Sequence, residues 1–386
     1  MKKYYYFFDL NEVLIDRYPA KISSFLSERF TEENFIFIYF EKYNNNEPHN
    51  LPKGSLSFCI PDLSISKITE LINNYPPSSL TVIAHRIPDL LLISFFNKLG
   101  IPTFTVQHGL WSDKLERIPL LQLVFKKYKR FYKYLFISIK LCQINNIPKI
   151  ATLIELYKFL WVQNISIRDT KYLISKSFRA GKVFSFDSSW DDYYLKYYAY
   201  NREDLIYIGN PDFLLLKETK SKEQEDAICY ISQSLVEDGR YTLKNFEKFL
   251  LILKEAIPHQ KKLYVKLHPR TILTNYNVLR DNENIEFVNN FPNCLYYIGH
   301  YSSLIALAKQ CSDNILIWNL KNHHMPQYFC QFASVVTGEE IEMKKFMNGG
   351  YQNKTVEKQF RGLTKEEIND FDPINKIVTG LIENKM

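Results

Sequence analysis

The sequence predicts an α/β protein of two domains, each built on a parallel sheet that helices cover on both faces. The first observation is an alternation of short apolar runs with helical patterns, which begins near Tyr4 and resumes in two later stretches. The second observation is length, because 386 residues exceed what one core of ordinary size needs. The third is composition, since 46% hydrophobic and 24% charged residues exclude a largely disordered chain.

The first half alternates strand and helix patterns in a regular order. The predicted strands are Tyr4–Phe8, Phe35–Phe40, Ser55–Ile60, Leu80–Ala84, Pro102–Val106, Lys182–Phe186 and Leu205–Ile208. The predicted helices are Ala20–Phe30, Ile65–Asn73, Pro88–Leu99 and Trp190–Tyr200. Gly100 directly follows one helix as a C-cap, and Gly209-Asn210-Pro211 ends the last strand.

A polar, charged stretch over Lys217–Asp226 then predicts a linker, after which the alternation resumes. The predicted strands are Ala227–Ser232, Leu263–Leu267, Ile285–Val288, Leu295–Ile298 and Asn314–Trp318, and the predicted helices are Leu243–Ala256 and Ser303–Lys309. The tail from Thr364 to Lys385 has a helical pattern that Pro373 interrupts. We therefore expect an N-terminal domain over residues 1–216, a C-terminal domain over 227–355 and a helical tail over 356–386.

A basic, aromatic segment interrupts the first half, where residues 112–165 have a helical pattern. Between Pro119 and Lys140 there are six basic residues and no acidic one. One interpretation is a helical hairpin with a solvated basic face. The other is an interfacial helix that lies on anionic lipid, with aromatic rings at headgroup depth. The residues expected to contact lipid are Phe125, Lys126, Lys127, Lys129, Arg130 and Lys133.

Charge and cysteine content limit the location and the partners of the protein. The formal charge of +7 is lower than that of a dedicated nucleic-acid binder, and no nucleic-acid recognition module is present, so we expect no nucleic-acid partner. The six cysteines form no C-x-x-C pair, which predicts reduced, buried thiols. No signal-peptide pattern and no run of about 18 apolar residues occur. We expect a cytoplasmic protein whose basic segment attaches it peripherally to the inner face of the cytoplasmic membrane.

Three loops of the second half follow predicted strands and carry polar groups. They are Ser232-Gln233-Ser234, His268-Pro269-Arg270 and Gly299-His300-Tyr301-Ser302-Ser303. Pro269 ends its strand because proline has no N–H to donate to the sheet. In open α/β sheets, ligands bind at the carboxyl edge of the strands, and the cations Lys266 and Arg270 suit a phosphate there. The alternative is an ordinary loop and a plain N-cap at Ser302.

In the first half, Gln107-His108-Gly109 stands at the end of a predicted strand. His108 is a candidate general base facing an interdomain cleft, with Gln107 and Gly109 beside it as acceptor-binding candidates. His85 also follows a strand and is a weaker acceptor-binding candidate; a purely structural role is the alternative for both histidines. The P-loop and G-x-G-x-x-G patterns are absent, no D-x-D lies between predicted strands, and His323-His324 lacks partners at metal spacing, so we expect no metal.

These features together resemble a known family. The His-Pro pair within Lys266–Arg270 and the serine pair Ser302-Ser303 are similar to those of GT-B glycosyltransferases that use CMP-activated acidic sugars in bacterial surface polysaccharide synthesis. That group includes lipooligosaccharide sialyltransferases, capsular polysialyltransferases and β-Kdo transferases. The run Ile231–Gly239 is most similar to the lipooligosaccharide sialyltransferases. Lys182–Phe213 also resembles the polyol-phosphate transferases of teichoic acid synthesis, which share the fold.

The resemblance implies a GT-B fold, with two Rossmann-like domains facing a central cleft and a helical basic insertion in the N-terminal domain. It further implies that His268 contacts the donor phosphate and helps CMP leave. Ser302 and Ser303 would hold the same phosphate, while Ser232 and Gln233 would line the nucleotide pocket. The donor is a substrate, and no cofactor is implied.

One departure concerns the residue that takes the acceptor proton. The sialyltransferases have an acidic-acidic-glycine motif in the N-terminal domain, where this chain has Gln107-His108-Gly109. Its Glu-Asp-Gly run, Glu237–Gly239, lies in the second half. Either His108 is the base, or Asp238 serves as base or, as in the Kdo-transferase branch, as nucleophile. The stereochemical outcome is therefore open.

The sequence thus leads to a metal-independent glycosyltransferase that moves a CMP-activated sialic acid-type sugar or Kdo onto a bacterial surface glycan or glycolipid, such as lipooligosaccharide or capsule. One alternative is a CDP-polyol phosphotransferase of the teichoic-acid type. Another, from a different class, is a non-catalytic GT-B subunit that binds glycan or takes part in assembly.

Overall fold

The computed structural model of the chain describes sixteen stretches of residues. They are 4–16, 18–29, 34–42, 47–107, 132, 135–146, 150, 178–198, 200–210, 219, 222–237, 241–268, 271–320, 329, 333–349 and 372–383. The chain divides into two compact units. Unit 1 contains Met1–His108, Leu120–Pro211 and Asp372–Met386, and unit 2 contains Gly109–Pro119 and Asp212–Phe371.

Unit 1 is built on a seven-stranded sheet in which every strand pair is parallel. Its strands are β1 (Tyr4–Asn11), β2 (Asn34–Glu41), β3 (Leu56–Cys59), β4 (Pro77–Ile83), β5 (Thr103–Val106), β6 (Lys182–Ser185) and β7 (Leu205–Tyr207). Their order in the sheet is β3-β2-β1-β4-β5-β6-β7. The chain therefore adds strands on one side of β1 up to β3 and then crosses to the other side at β4, which makes the sheet doubly wound.

The helices of unit 1 include one from the C-terminal end of the chain. In chain order they are α1 (Glu12–Ile15), α2 (Pro19–Arg29), α3 (Ile65–Asn74), α4 (Ile87–Lys98), α5 (Asp191–Tyr198) and α10 (Pro373–Glu383). Gly100 follows α4 with φ of +69°, the left-handed conformation expected of a helix C-cap. Arg29 of α2 donates a hydrogen bond to Asn375 of α10, and the two helices pack against each other.

Unit 2 repeats this pattern with six parallel strands. Its strands are β8 (Glu225–Ile231), β9 (Leu263–Lys266), β10 (Ile285–Val288), β11 (Cys294–Gly299), β12 (Asn314–Trp318) and β13 (Val335–Thr337). Its helices are α6 (Leu243–Ala256), α7 (Asn277–Arg280), α8 (Ser303–Ala308) and α9 (Glu340–Met347). The sheet order, β10-β9-β8-β11-β12-β13, is again doubly wound, with the crossover between β8 and β11.

Aromatic side chains account for much of the core in both units. In unit 1, Phe7 and Phe37 stack across β1 and β2 with ring centroids 5.4 Å apart, and the buried Tyr6 donates its hydroxyl to the carbonyl of Tyr75 at 2.7 Å. In unit 2, Phe249 of α6 packs on Trp318 of β12. A tyrosine can be buried in such a core because its hydroxyl finds a partner.

The predicted α/β fold class is confirmed, with differences at particular elements. Strand β8 begins at Glu225, inside the predicted linker, because the charged Glu225 and Asp226 are held at the strand start by Tyr264 and Lys261. The sequence analysis missed α1, α7, β13 and α9. The predicted domain limits at 216 and 355, and most of the predicted helical insertion over 112–165, lie outside the described residues; residues 135–145 within it are helical. The five described cysteines are free thiols.

Candidate functional site

In unit 2, the strand register brings the ends of β8, β9 and β11 together. Ile231, the last residue of β8, pairs with Lys266 on one side and with Gly299 on the other. Ser232, His268 and His300 therefore follow adjacent strands at one edge of the sheet. This edge is also where the strand order reverses, and such reversals open a crevice where doubly wound folds bind ligands.

The loops after β8 and β9 are joined by hydrogen bonds between predicted site residues. The Ser232 N–H donates to the carbonyl of Lys266 at 3.0 Å, which extends the parallel ladder beyond the strands. The Ser232 hydroxyl, buried at 2% exposure, accepts from the backbone N–H of His268 at 3.0 Å. That N–H also lies 3.1 Å from Thr271 Oγ1. The backbone of His268 is therefore fixed from two sides.

Lys266 brings a positive charge to the same edge. Its ammonium group donates to the carbonyl of Leu267 at 2.8 Å, and burial lowers its pKa below the ordinary lysine value. A half-buried ammonium with a single hydrogen bond keeps N–H groups for an anionic ligand. Pro269 and Arg270, the other predicted members of this loop, lie outside the described residues.

Gln233 joins the loop after β8 to the loop after β11. Its Nε2 donates to the carbonyl of Tyr301 at 2.7 Å. A backbone carbonyl can only accept, so this bond fixes which way the amide faces. The other amide atom, Oε1, is buried and has no hydrogen-bond partner among the residues that the structure describes. Gln233 therefore offers an acceptor, which suits a hydroxyl or amino group and repels a phosphate oxygen.

Ser302 is the N-cap of α8. Its hydroxyl accepts from the backbone N–H of Leu304 at 3.2 Å, in the extended conformation that N-caps adopt. The Ser302 hydroxyl can still donate its own proton. The capping bond is therefore compatible with the predicted phosphate contact and does not test it. Ser303 is the first residue of α8, and only its backbone is described.

Two neighbouring residues tie the site to the unit 2 core, and neither was predicted. The fully buried His300 places Nδ1 3.1 Å from the carbonyl of Trp318 and Nε2 3.3 Å from the Tyr230 hydroxyl. Glu237 accepts from the N–H of Ile272 at 2.9 Å and from the Asn275 side chain at 3.1 Å. Glu237 belongs to the Glu-Asp-Gly run that the sequence drew attention to, whereas Asp238 lies outside the described residues.

In unit 1, the predicted Gln107 and His85 are engaged within the fold. The amide oxygen of Gln107 accepts from the backbone N–H of Phe186 at 2.9 Å and from the Ser185 hydroxyl at 3.2 Å, which ties β5 to β6. His85, 3% exposed, has Nε2 2.9 Å from the Tyr200 hydroxyl. Burial, with a contribution from Arg86, lowers its pKa to about 3, so the imidazole is neutral at physiological pH. His108 and Gly109 lie outside the described residues.

The strand order of unit 1 reverses between β1 and β4, and an ionic cluster lies at this edge that the sequence analysis missed. Arg86 bridges Asp9, at the end of β1, to Asp89 of α4. Its Nη1 is 2.9 Å from Asp9 Oδ1, and its Nε is 2.6 Å from Asp89 Oδ2. Asp9 follows an unbroken aromatic strand, which is the one signal in the sequence that could have drawn attention to it.

Two other kinds of feature are absent from the described stretches. No group of three or more histidine, cysteine, aspartate or glutamate side chains there is arranged to hold a metal ion. In the same part of the chain, no helix combines the length with the apolar character needed to cross a membrane.

Comparison with solved structures identifies the fold. A Listeria monocytogenes protein assigned as a UDP-N-acetylglucosamine 2-epimerase superposes with a TM-score of 0.53 at 10% identity, covering 99% of this chain and 96% of that one. The S. aureus MnaA–UDP structure gives 0.52 at 12% identity, covering 100% and 95%. The glycotransferase of kitacinnamycin gives 0.50 at 8% identity, covering 100% and 98%. No protein-family model and no curated protein sequence matches the chain. At these identities the likeness concerns the fold, and the chain has the two Rossmann-like units of the GT-B fold.

Proposed function

We propose that the protein is a metal-independent glycosyltransferase that moves a CMP-activated sialic acid-type sugar or Kdo onto a bacterial surface glycan. The observation that carries the proposal is the edge of unit 2, where hydrogen bonds join Ser232 to His268 and Gln233 to Tyr301. Three loops chosen from the sequence thus lie together at a strand-order reversal. The GT-B fold, which the S. aureus MnaA–UDP structure shares, supports a nucleotide at this edge.

The site has groups suited to both ends of a nucleotide sugar. During transfer, the bond between the anomeric carbon and the CMP phosphate oxygen breaks, and the electron pair leaves with the phosphate. His268 and Lys266, with Arg270 and the Ser302-Ser303 pair as predicted, stabilise that growing negative charge. The Oε1 atom of Gln233 is buried without a partner, and in the proposal it becomes accessible when the nucleotide binds and accepts from a hydroxyl or amino group of the nucleoside.

The acceptor belongs to unit 1 in this proposal. His108, Gln107, Gly109 and His85 remain the predicted acceptor-side residues. Because the amide oxygen of Gln107 already accepts two hydrogen bonds within the fold, that oxygen is not offered to an acceptor. The proton acceptor predicted from the sequence is His108 or Asp238, neither of which is among the described residues.

Attachment to an anionic membrane surface through the basic segment also belongs to the proposal. Two aromatic side chains near its end are strongly exposed, Tyr132 at 58% and Phe136 at 56%, and their rings contact each other edge to face at 5.9 Å. Exposed aromatic rings beside a run of lysines are typical of surfaces that insert at headgroup depth. The acceptor would then be a lipid-linked glycan.

A thermal-shift titration tests the nucleotide site. CMP, CDP, UDP and GDP are each added in EDTA, and we expect selective stabilisation by CMP. At 100 times Kd a ligand stabilises by about 2.7 kcal/mol, which raises Tm by roughly 5–10 °C for a unit of this size. His268→Ala should reduce the shift, whereas His259→Ala, an exposed histidine in the same unit, should not.

The outcomes separate the competing functions. Preference for UDP or GDP would contradict the CMP-sugar assignment. If CMP binds, incubation with CMP-sialic acid, CMP-Kdo and a CDP-polyol distinguishes the donor, because only the CDP-polyol product gains phosphate. A folded protein that binds none of the nucleotides would be the non-catalytic GT-B subunit.

A further inference from the structure

The ammonium group of Lys266 lies beside the peptide that joins Leu267 to His268. Lys266 is the last residue of β9, and its Nζ donates to the carbonyl of Leu267 at 2.8 Å. The N–H of the same peptide belongs to His268 and donates to the Ser232 hydroxyl at 3.0 Å. The positive charge is therefore held at the carboxyl edge of the unit 2 sheet, next to the residue predicted to contact the donor phosphate.

The backbone after β9 places Lys266 and His268 on the same face of the sheet. The parallel ladder continues beyond β9, where the Leu267 N–H donates to the Val288 carbonyl at 2.9 Å. On the other side, the Ser232 N–H donates to the Lys266 carbonyl at 3.0 Å. His268 also precedes a proline, which favours an extended backbone. Alternate residues of an extended backbone share a face and are about 6.6 Å apart, so these two side chains are neighbours.

The charge of Lys266 has no carboxylate partner within the described stretches. Burial lowers the pKa of Lys266 and the nearby Cys229 thiol raises it, but no acidic side chain contributes. Lys309, a more deeply buried lysine of the same unit, pairs with Asp313. Buried lysines are stabilised by an anionic partner of this kind. With one of its three N–H groups used, the ammonium of Lys266 can donate to an anion that a ligand supplies.

The proposed donor has an anion at the right place. In a CMP-activated sialic acid or Kdo, the anomeric carbon bears both the phosphate oxygen and a carboxylate, so the two anionic groups are as close together as His268 and Lys266. Among the described residues of β9 and of the three loops at this edge, Lys266 is the one lysine or arginine. The buried Oε1 atom of Gln233 would repel a carboxylate. The carboxylate is therefore best matched by Lys266.

We propose that Lys266 binds the carboxylate of the donor sugar and thereby selects keto-acid donors, which rests on the proposed glycosyltransferase function. Its ammonium donates to a carboxylate oxygen while His268 contacts the phosphate on the same carbon. A neutral sugar has no carboxylate there and leaves the half-buried charge unpaired, which disfavours its binding. The ligand class is a nucleotide-activated sugar with a carboxylate on the anomeric carbon.

A double-mutant cycle between Lys266 and the ligand carboxylate tests the proposal. The ligands are CMP-sialic acid and CMP-Kdo, each with a 3-fluoro substituent that slows cleavage, as the free acid and as the methyl ester of the sugar carboxylate. Titration calorimetry in EDTA, without acceptor, measures each Kd. For at least one of the two sugars, we expect the wild type to bind the acid about 10–100-fold more tightly than the ester. In Lys266→Met this preference should fall below about threefold.

Lys254→Met is the matched control. Lys254 is also a half-buried lysine of unit 2, and its Nζ donates to the Val278 carbonyl at 3.0 Å. It lies in the last turn of α6, from which the chain enters β9 at the opposite edge of the sheet. Lys254→Met should keep the wild-type preference for the acid. Lys266→Gln is a second test variant with the same expected loss as Lys266→Met, and urea unfolding verifies that all three variants fold.

Four results would overturn the assignment of Lys266. They are an acid preference that persists in both Lys266 variants, equal binding of acid and ester by the wild type, and a wild type that binds CMP but neither acid. The fourth is a wild type that binds CDP more tightly than either acid and loses that gain in Lys266→Met, because Lys266 would then contact a second phosphate. A folded wild type that binds neither CMP nor any of the CMP-sugars would instead refute the proposed glycosyltransferase function, and the role of Lys266 with it.

Discussion

Replacement of Gln233 by methionine separates a binding role for this side chain from a structural one. Gln233 has one hydrogen bond, from Nε2 to the Tyr301 carbonyl, while its Oε1 is buried without a partner. Methionine keeps the length and approximate volume of glutamine and removes both polar atoms. The variant therefore tests what the unpaired oxygen is for.

The expected effects on stability nearly cancel. Loss of the bond to Tyr301 costs about 0.5–1.5 kcal/mol, whereas removal of an orphaned buried acceptor returns about 1–3 kcal/mol. We expect the free energy of unfolding to stay within about 1 kcal/mol of the wild type. We expect Gln233→Met to bind CMP more weakly, because the nucleoside group that would donate to Oε1 in the proposed complex loses its partner. A hydrogen bond worth about 0.5–1.5 kcal/mol corresponds to a rise in the Kd of CMP of roughly 3–10-fold.

Titration calorimetry with CMP in EDTA measures the Kd, and urea unfolding measures the free energy of unfolding. The titration is repeated with 2′-deoxy-CMP, 3′-deoxy-CMP and UMP, which each lack or replace one candidate donor group. The analogue without the relevant group should bind the wild type and Gln233→Met equally well. Gln224→Met is the control, since the Gln224 amide also donates to backbone carbonyls but precedes the first residue of β8.

Two results would refute this reasoning. If Gln233→Met has normal stability and binds CMP as tightly as the wild type, its oxygen does not contact the nucleotide. If the variant loses more than about 2 kcal/mol of stability, the amide is mainly a link between two loops and the orphaned oxygen costs little.

Three further predictions follow from unit 1 and from the basic segment. Burial raises the pKa of Asp9 from 3.8 to about 6, so ionisation of this carboxyl destabilises the folded state. The stability gained by Asp9→Asn should therefore be small at pH 4, grow as the pH rises through 6 and level off at roughly 1–3 kcal/mol. If urea unfolding showed a gain that shrinks as the pH rises, the predicted direction of the pH dependence would be wrong. Ala84→Gly should raise the free energy of unfolding, measured with urea, by about 0.5–2 kcal/mol, since relief of a positive φ outweighs the added chain entropy. A lower free energy of unfolding would show that the conformation is unstrained. Joint replacement of Tyr132 and Phe136 by alanine should lower the affinity for anionic vesicles, measured by flotation, by about tenfold or more. Ile341→Ala, a control residue at 70% exposure in unit 2, should leave the affinity unchanged. Equal flotation of both variants would refute a membrane contact through Tyr132 and Phe136.

The sequence predicted elements well where local signals agree. Helix α6 has the predicted limits, Leu243–Ala256, because Thr242 caps it and its apolar spacing is helical. Strands β10 and β12 also have their predicted limits. Strand β13 was missed because it has three residues and Val336 is exposed, so it shows neither an apolar run nor a clear alternation. Helix α9 was missed because charged residues dominate it and its buried side chains are few.

The loops that meet at the edge of unit 2 and the ionic cluster of unit 1 differ in how visible they are in the sequence. The loops after β8, β9 and β11 could be chosen from the sequence because each places polar residues directly after an apolar run. The Asp9–Arg86 pair could not, since its partners are 77 residues apart and meet only through the register of β1 with β4. A single aspartate after an aromatic run carries no signal of that pairing. His300 is the opposite case. It lies in a loop that the sequence marks as polar, yet its side chain is fully buried against Trp318 and Tyr230.

The two sheet edges differ in charge. At the edge of unit 2, Lys266 brings a positive charge close to the backbone-fixed His268, which favours the phosphate of the proposed donor. At the edge of unit 1, two carboxylates share one guanidinium, so the Asp9–Arg86–Asp89 cluster has a net negative charge when all three groups are ionised. The edge of unit 2 is therefore the one suited to the phosphate of the proposed donor, whereas the net charge of the Asp9–Arg86–Asp89 cluster disfavours an anion at the edge of unit 1.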